Sequence, residues 1–523
     1  MPILALSIWP LISAVLFARL SIALAVISVI LAGYLLLPER TALDLPGLPS
    51  LDKNSVPAIC ALVFSGIALR SRRQNPRASR SDTILRGLVP RHPIALALLL
   101  SIPVGALATA LTNADPILIG RRYLPGLTMY DAASMLLTST ALIVPLLLGR
   151  KYLAAPAEQR LLLVAMCVAG CAYSLLALYE IRMSPQLNRI IYGFFPHSWQ
   201  QHVRGGGYRP LVFLQHGLWL AIFFAMAILS AFGLLRSGPR YRRALWAGLW
   251  LLLTLSLSRS LGALVIALAF LPVILLAGRR AQLILAAVVA GLVLTYPVLR
   301  GTQLLPIEEI RQIATDFNEQ RGSSLGTRLD NEEMLLERAK LRPAFGWGGW
   351  GRPRIYDEYG TDVSITDGYW VIIIGVGGWT RYVGEFGLMA MPIFLLAWRR
   401  RDYALGNETA VLAVVLAANM MDALPNAAVT PLTWLITGAL WGRVELGAHA
   451  PENGAVIGPN GGVSARRSRL RRDDGDGEGD PPPDDEPAAA PEGRAQGHLY
   501  TRQTKRHRRG KGEPEDNGGQ PRR

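Results

Sequence analysis

Apolar residues arrive along this chain in long uninterrupted blocks rather than at the alternating period of β-strands. The clearest blocks are Leu211–Leu235, Pro93–Leu111 and Ala281–Val298. A helix of about 20 apolar residues crosses a hydrocarbon core about 30 Å thick. Only helices or closed barrels can span it, and barrel strands would alternate in polarity. The pattern predicts an all-α fold, a polytopic transmembrane helical bundle.

Arginine clusters between the blocks predict which turns are cytoplasmic, since such loops are rich in Lys and Arg. These clusters are Arg70–Arg91, Arg236–Arg243, Gly278–Arg280 and Arg399–Arg401. With these inside, residues 179–210 and 300–368 fall outside, and the path has about 12 spans. The longer outward loop contains an amphipathic stretch at Glu332–Ala339, so we expect a large, partly helical periplasmic loop.

Two domains follow from this path: a membrane domain, residues 1–449, and a disordered charged cytoplasmic tail, residues 450–523. The N-terminus lacks the basic region of a cleaved signal peptide, so one or two retained spans are expected there. The three cysteines, Cys60, Cys167 and Cys171, lie inside apolar blocks and are interpreted as packing residues.

The net charge of +16 could suggest a nucleic-acid partner, but its placement argues against one. After Ala450 the tail holds 14 Lys and Arg against 13 Asp and Glu, so the excess lies between the helices. This excess of positive charge therefore indicates which loops are cytoplasmic.

The outward segment 179–210 combines arginines and aromatics. Its arginines are Arg182, Arg189, Arg204 and Arg209. Guanidinium groups bind phosphate oxygens bidentately, so the set predicts an anionic ligand, with lipid headgroups as the alternative for any one arginine. Arg259, in a short polar break between two apolar blocks, is a functional candidate or a side chain that snorkels to the interface.

A glycine-rich turn, Phe345–Arg352, carries Trp347 and Trp350. It lacks the Lys-Ser/Thr that follows a P-loop, which argues against nucleotide binding. The indoles would suit stacking on sugar rings or insertion into the membrane interface.

Four stretches between about Tyr173 and Pro392 resemble the O-antigen ligase and polymerase superfamily. They are Tyr179–Pro185 continuing to Gly207–Phe213 with His216 and Gly217, Thr254–Gly262, Arg328 with Arg342–Gly348, and Asp367-Gly368. In the last stretch, family ligases show His-Asn, nine residues, then Gly-x-x-Gly. Here Asp367 stands at the histidine position, Gly378 keeps the spacing and the final glycine is absent. The departure favours polymerisation over standard ligation.

The resemblance implies a metal-independent glycosyltransferase without a cofactor, in the bacterial inner membrane. Its expected partners are an undecaprenyl-diphosphate-linked glycan, membrane lipid, and a chain-length regulator or other polysaccharide-assembly proteins. By the resemblance, Arg209, Arg259 and Asp367 are catalytic candidates. The expected substrate-binding residues are Arg204, Arg328, His216, Trp347, Trp350 and Arg352.

Two questions stay open at this level. The base that takes the acceptor proton is Asp367 by position, or one of His197, His202 and His216. The alternative function is a multi-pass transporter or exporter of an anionic or glycan substrate. Transporters usually show repeats and midplane sites, whereas here the unusual residues cluster at the outer face.

Overall fold

The computed structural model describes residues 1–44, 50–74, 84–204, 206–317, 319–401, 403 and 405–447. Within these ranges the chain is mostly helical. The helices are α1 (Pro2–Arg19), α2 (Ile22–Leu36), α3 (Ser55–Gln74), α4 (Pro93–Thr112), α5 (Met129–Tyr152), α6 (Pro156–Met183), α7 (Leu187–Tyr192), α8 (Gly217–Leu235), α9 (Ala244–Leu257), α10 (Leu261–Leu276), α11 (Arg279–Gly301), α12 (Ile307–Phe317), α13 (Glu319–Lys340), α14 (Tyr369–Trp398), α15 (Asn407–Asp422) and α16 (Pro431–Leu446).

Three short antiparallel hairpins interrupt the helices. They pair β1 (Ala42–Leu43) with β2 (Leu51–Asp52), β3 (Ile117–Ile119) with β4 (Arg122–Leu124), and β5 (Val203–Arg204) with β6 (Gly207–Tyr208). The predicted helical bundle is confirmed in its helical character. The predicted tail, residues 450–523, and the centre of the first arginine cluster, residues 75–83, lie outside the described residues.

Six of the described helices are long and apolar enough to cross a membrane: α1, α4, α5, α6, α8 and α11. Three shorter apolar helices, α2, α3 and α10, accompany them, so the count of about 12 spans stays a prediction. Helix α8 is apolar and buried almost all round, which makes it a central helix. Helices α1 and α4 expose apolar side chains such as Leu11 and Val104, as a lipid-facing surface does.

The apolar block at Leu211–Leu235 predicts a helix over its whole length, but α8 begins only at Gly217. The amides of Leu211 and Val212 donate instead to the buried Glu180 carboxylate, at 2.9 and 2.8 Å. The imidazole of His216 then caps α8 by accepting from the Leu218 amide. These contacts hold the first six residues of the block in a non-helical path.

Helix α14 is broken at Gly378, whose φ of +66° suits glycine. The turn at Pro343–Gly348 fills the break, because the Trp379 amide donates to Pro343 O and the Gly348 amide to Val376 O, both at 2.8 Å. A Cβ on Gly346 would come within 2.6 Å of backbone nitrogens in α14. The glycine-rich turn therefore fixes the segment 300–368 to this helix.

Candidate active site

A cavity of about 520 Å³, called the larger cavity below, opens where three separate parts of the chain meet. One wall comes from residues 197–219, the second from α13 and residues 365–372, and the third from Asn426 and Ala427. Four residues singled out from the sequence line it together: Arg209, His216, Arg328 and Asp367. The fold thus brings side chains more than 150 positions apart into one site.

Arg209 is held on the first wall by backbone contacts. It is 8% exposed, its amide donates to His202 O at 2.8 Å, and its aliphatic carbons lie against Gly217 at the start of α8. Its Nη2 donates to the carbonyl oxygen of Arg259 at 3.2 Å. The guanidinium is therefore positioned before any ligand arrives, which reduces the entropy lost on binding.

Arg259 lies in the turn between α9 and α10, in a left-handed conformation with φ +56°. Its exposed side chain runs so close to Gly207 that a Cβ there would meet Nη2 at 2.7 Å. Arg259 is not among the described residues that line the larger cavity. Its observed contribution is the carbonyl that orients Arg209.

Arg328 and Asp367 form an ion pair on the second wall, with 3.2 Å between Nε and Oδ2. Arg328 Nη1 also donates to Pro425 O at 3.3 Å and to Asn426 Oδ1 at 3.4 Å. Both partners keep about a third of their side-chain surface exposed, at 28% and 36%. The carboxylate is thus oriented by the arginine and still accessible to a substrate hydroxyl.

Glu332 lies on the same helix as Arg328, one turn further along, and is buried. The Tyr296 hydroxyl donates to its Oε2 at 3.1 Å. Burial raises the pKa of Glu332 to about 7, while hydrogen bonding and the nearby Arg300 and Arg328 act in the opposite direction. This carboxyl therefore changes charge near neutral pH.

Three histidines, His197, His202 and His216, meet at the first wall with imidazole nitrogens within 4.8 Å of one another. His202 Nδ1 lies 3.0 Å from Ser198 O and must donate to it, which leaves the lone pair on Nε2. His216 Nδ1 accepts from Leu218, so in the neutral ring its proton is on Nε2. Burial, with the charge of Arg40, lowers the pKa of His197 and keeps that ring neutral near pH 7.

The histidine cluster has the ligand type and number of a zinc site. Two observations disfavour a cation there. The Nδ1 lone pair of His216 already accepts from the Leu218 amide, which leaves a proton on Nε2 of the neutral ring. Arg209 lies on the same wall, and the positive charge of Arg40 acts on His197. His216 therefore suits hydrogen bonding to an anion better than ligating a metal.

Two other residues proposed from the sequence lie away from the larger cavity. Trp347 is buried, with Arg338 and Arg342 over its ring at 3.7 and 4.6 Å, and Arg352 is fully buried, donating to Trp347 O and Pro125 O. Neither belongs to the described lining of the larger cavity, so we leave both out of the substrate-binding set. The side chain of Arg204 falls outside the described residues.

With this geometry in view, a family model described as O-antigen ligase matches residues 247–372. This match supports a relationship of residues 247–372 to the O-antigen ligase and polymerase superfamily. The matched stretch contains Arg259, Arg328 and Asp367, whereas Arg209 and His216 precede it. No curated protein and no solved structure shows a significant match. Together with the apolar helices, the family indicates a multi-pass membrane protein and suggests a glycosyltransferase-like enzyme.

Sequence reasoning missed Glu180, which anchors the first wall. Its carboxylate accepts from the amides of Leu187, Leu211 and Val212, at 3.0, 2.9 and 2.8 Å. The sequence does single this residue out, because Glu180 is the only acidic residue between Glu158 and Glu308. A lone acid in so long an apolar and basic stretch indicates a buried structural or functional role.

Proposed function

We propose that this membrane enzyme polymerises or transfers undecaprenyl-diphosphate-linked oligosaccharide on the outer face of the bacterial inner membrane. The observation that carries the proposal is the larger cavity, which Arg209 and His216 line from one wall and Arg328 and Asp367 from another. Arginine and imidazole donors suit a diphosphate, and a carboxylate suits an attacking hydroxyl.

In the proposed reaction, the oxygen of an acceptor hydroxyl attacks the anomeric carbon of the donor. The bond from that carbon to the diphosphate oxygen breaks, and its electron pair leaves with the lipid diphosphate. Arg209 and the Nε2–H of His216 stabilise the charge that develops there. The site also holds donor and acceptor in line, which lowers the entropic part of the barrier.

The hydroxyl proton needs an acceptor, and Asp367 is the better placed of two candidates. It lies on a different wall from Arg209, and Arg328 orients its carboxylate. His197 is neutral and lines the same cavity, but it lies on the side of Arg209. We assign the proton to Asp367 and keep His197 as the alternative base.

Within this class, we favour a polymerase of O-antigen or exopolysaccharide, because aspartate replaces the histidine typical of family ligases. The acceptor is then a second lipid-linked glycan. The family match gives the transporter alternative no support.

The decisive experiment is reconstitution of the full-length protein in lipid nanodiscs with a lipid-diphosphate repeat unit. A polymerase yields chains of increasing length without further additions, and a ligase needs a lipid A core acceptor. Metal independence predicts equal rates with and without EDTA. If neither acceptor is extended and a deletion strain keeps its surface glycans in amount and length, the proposal is wrong.

A further inference from the structure

A second cavity, of about 170 Å³, adjoins the larger one and is called the smaller cavity. Its lining is mainly apolar and glycine backbone, with three side chains able to donate hydrogen bonds, Trp350, Arg354 and Thr366. Thr366 and Ile372 line both cavities, so both residues lie at the boundary between them. The two spaces are therefore neighbours within one site.

Trp350 gives the smaller cavity a flat aromatic wall. Its side chain is 53% exposed, although a residue of this size gains by burial. Its φ of +55° is a conformation that costs a non-glycine residue energy and that clusters at functional sites. The next residue, Gly351, is held by the Tyr356 hydroxyl, which donates to its carbonyl at 2.9 Å.

The polar edge of the smaller cavity is fixed as well. Arg354 pairs with Asp362 and lies 3.5 Å from the Thr366 hydroxyl. A pyranose ring has an apolar face of C–H groups and a rim of hydroxyls. An exposed indole beside a guanidinium and a hydroxyl matches both parts, whereas a lipid chain has no use for the polar edge.

The position of Asp367 relates the two cavities. Asp367 follows Thr366, the shared residue, and itself lines the larger cavity. A sugar in the smaller cavity can thus present a hydroxyl across this boundary to the carboxylate. The diphosphate partners Arg209 and His216 lie on the other wall of the larger cavity.

We propose that the smaller cavity is the acceptor subsite and binds the terminal sugar of the acceptor glycan, stacked on Trp350. The inference rests on the proposed function and adds that donor and acceptor occupy separate cavities. In the transfer, the acceptor O–H bond breaks, its proton goes to Asp367, and the new C–O bond replaces the bond to the departing diphosphate.

The test compares Trp350→Ala, Trp350→Phe and wild type in nanodiscs, using the lipid-diphosphate repeat unit as donor and a soluble oligosaccharide of the same repeat as acceptor. We expect Trp350→Ala to raise the acceptor KM at least tenfold, while donor binding and kcat change less than threefold. Trp350→Phe keeps an aromatic face and should restore most of the affinity. Trp246→Ala, which removes an exposed indole of α9, is the matched control and should change nothing.

An acceptor KM within twofold of wild type in Trp350→Ala would overturn the inference. So would loss of donor binding in that variant, because the indole would then serve the donor or the fold. Direct binding of the oligosaccharide, measured by saturation-transfer NMR without donor, separates this inference from the proposed function. If wild type binds and Trp350→Ala does not, the subsite stands even without turnover. If wild type does not bind, the subsite is wrong, whatever the enzyme does to its donor.

Discussion

The first and second walls of the larger cavity differ in their balance of positive and negative side chains. The first wall, residues 197–219, contains two arginines and three histidines without a single Asp or Glu. The second wall belongs to the segment 300–368, where arginines have acidic partners. Among the described residues of that segment the arginine–acid pairs are Arg300–Glu333, Arg311 with Glu308 and with Asp330, Arg328–Asp367 and Arg354–Asp362.

This difference assigns a task to each wall. A wall with cations and no carboxylates lowers the free energy of a bound diphosphate and stabilises the charge that grows on it. A wall of paired charges is nearly neutral and orients a carboxylate for proton transfer. The predictions that follow test whether the walls divide the work in this way.

The largest effect is expected from Arg209→Ala, which removes the positioned guanidinium of the first wall. Loss of one preorganised donor to developing charge costs about 10²–10³-fold in kcat. Transfer of the lipid-linked repeat unit by purified protein measures it. Arg189→Ala removes an exposed arginine of α7, from the segment 179–210 that also carries Arg209, and should keep normal activity. Equal activity in both variants would remove Arg209 from the mechanism.

Asp367→Asn tests the second wall with little change of shape, since the amide can still contact Arg328. We expect kcat to fall about 100-fold, within the range for loss of a general base, and donor binding to stay within threefold. Native mass spectrometry of the donor complex and initial rates measure the two quantities. A variant that retains more than a third of wild-type kcat would exclude Asp367 as an essential base and favour His197.

Glu180→Gln weakens the hydrogen bonds that hold the first wall, while a side chain of the same size still fills the site. One oxygen remains to accept, and the new NH₂ group faces backbone amides, so the loop that carries Arg209 should loosen. A donor KM about tenfold higher is expected, with acceptor KM unchanged, because each lost hydrogen bond to a charged group is worth about 1.5–3 kcal/mol. Glu158→Gln is the matched control, a buried acid at the other end of α6. An equal rise in both KM values would show a general loss of fold instead.

The sequence predicts the helices well and the walls only in part. Apolar blocks and arginine clusters depend on local composition, so α4 and α11 lie where the pattern puts them. The late start of α8 depends on Glu180, which is far away in sequence, and hydropathy does not register such a contact. For the same reason the exposed Trp350 and the buried Trp347 are indistinguishable in the glycine-rich turn. The family pattern indicates Arg209 and Asp367 as site residues. That the three histidines lie together becomes visible only in the folded structure.

The smallest effect expected concerns Glu332, the titrating carboxyl behind the second wall. Its pKa in the folded protein is about 7, above the ordinary value of 4.5, so the folded state holds the proton more tightly. The stability this contributes is fully present below pH 4.5 and is lost as pH rises through 7, amounting to about 3 kcal/mol. The melting temperature of wild type should therefore fall between pH 5 and pH 8 relative to Glu332→Gln.

Glu333→Gln is the control for this titration, because its neighbouring carboxylate is half exposed and pairs with Arg300. It should keep the pH slope of wild type, while Glu332→Gln flattens it. Parallel slopes in all three proteins would mean that Glu332 ionises as in the unfolded chain. If the melting temperature depends less on pH in Glu332→Gln alone, the pH dependence of stability arises at the second wall and not at the first.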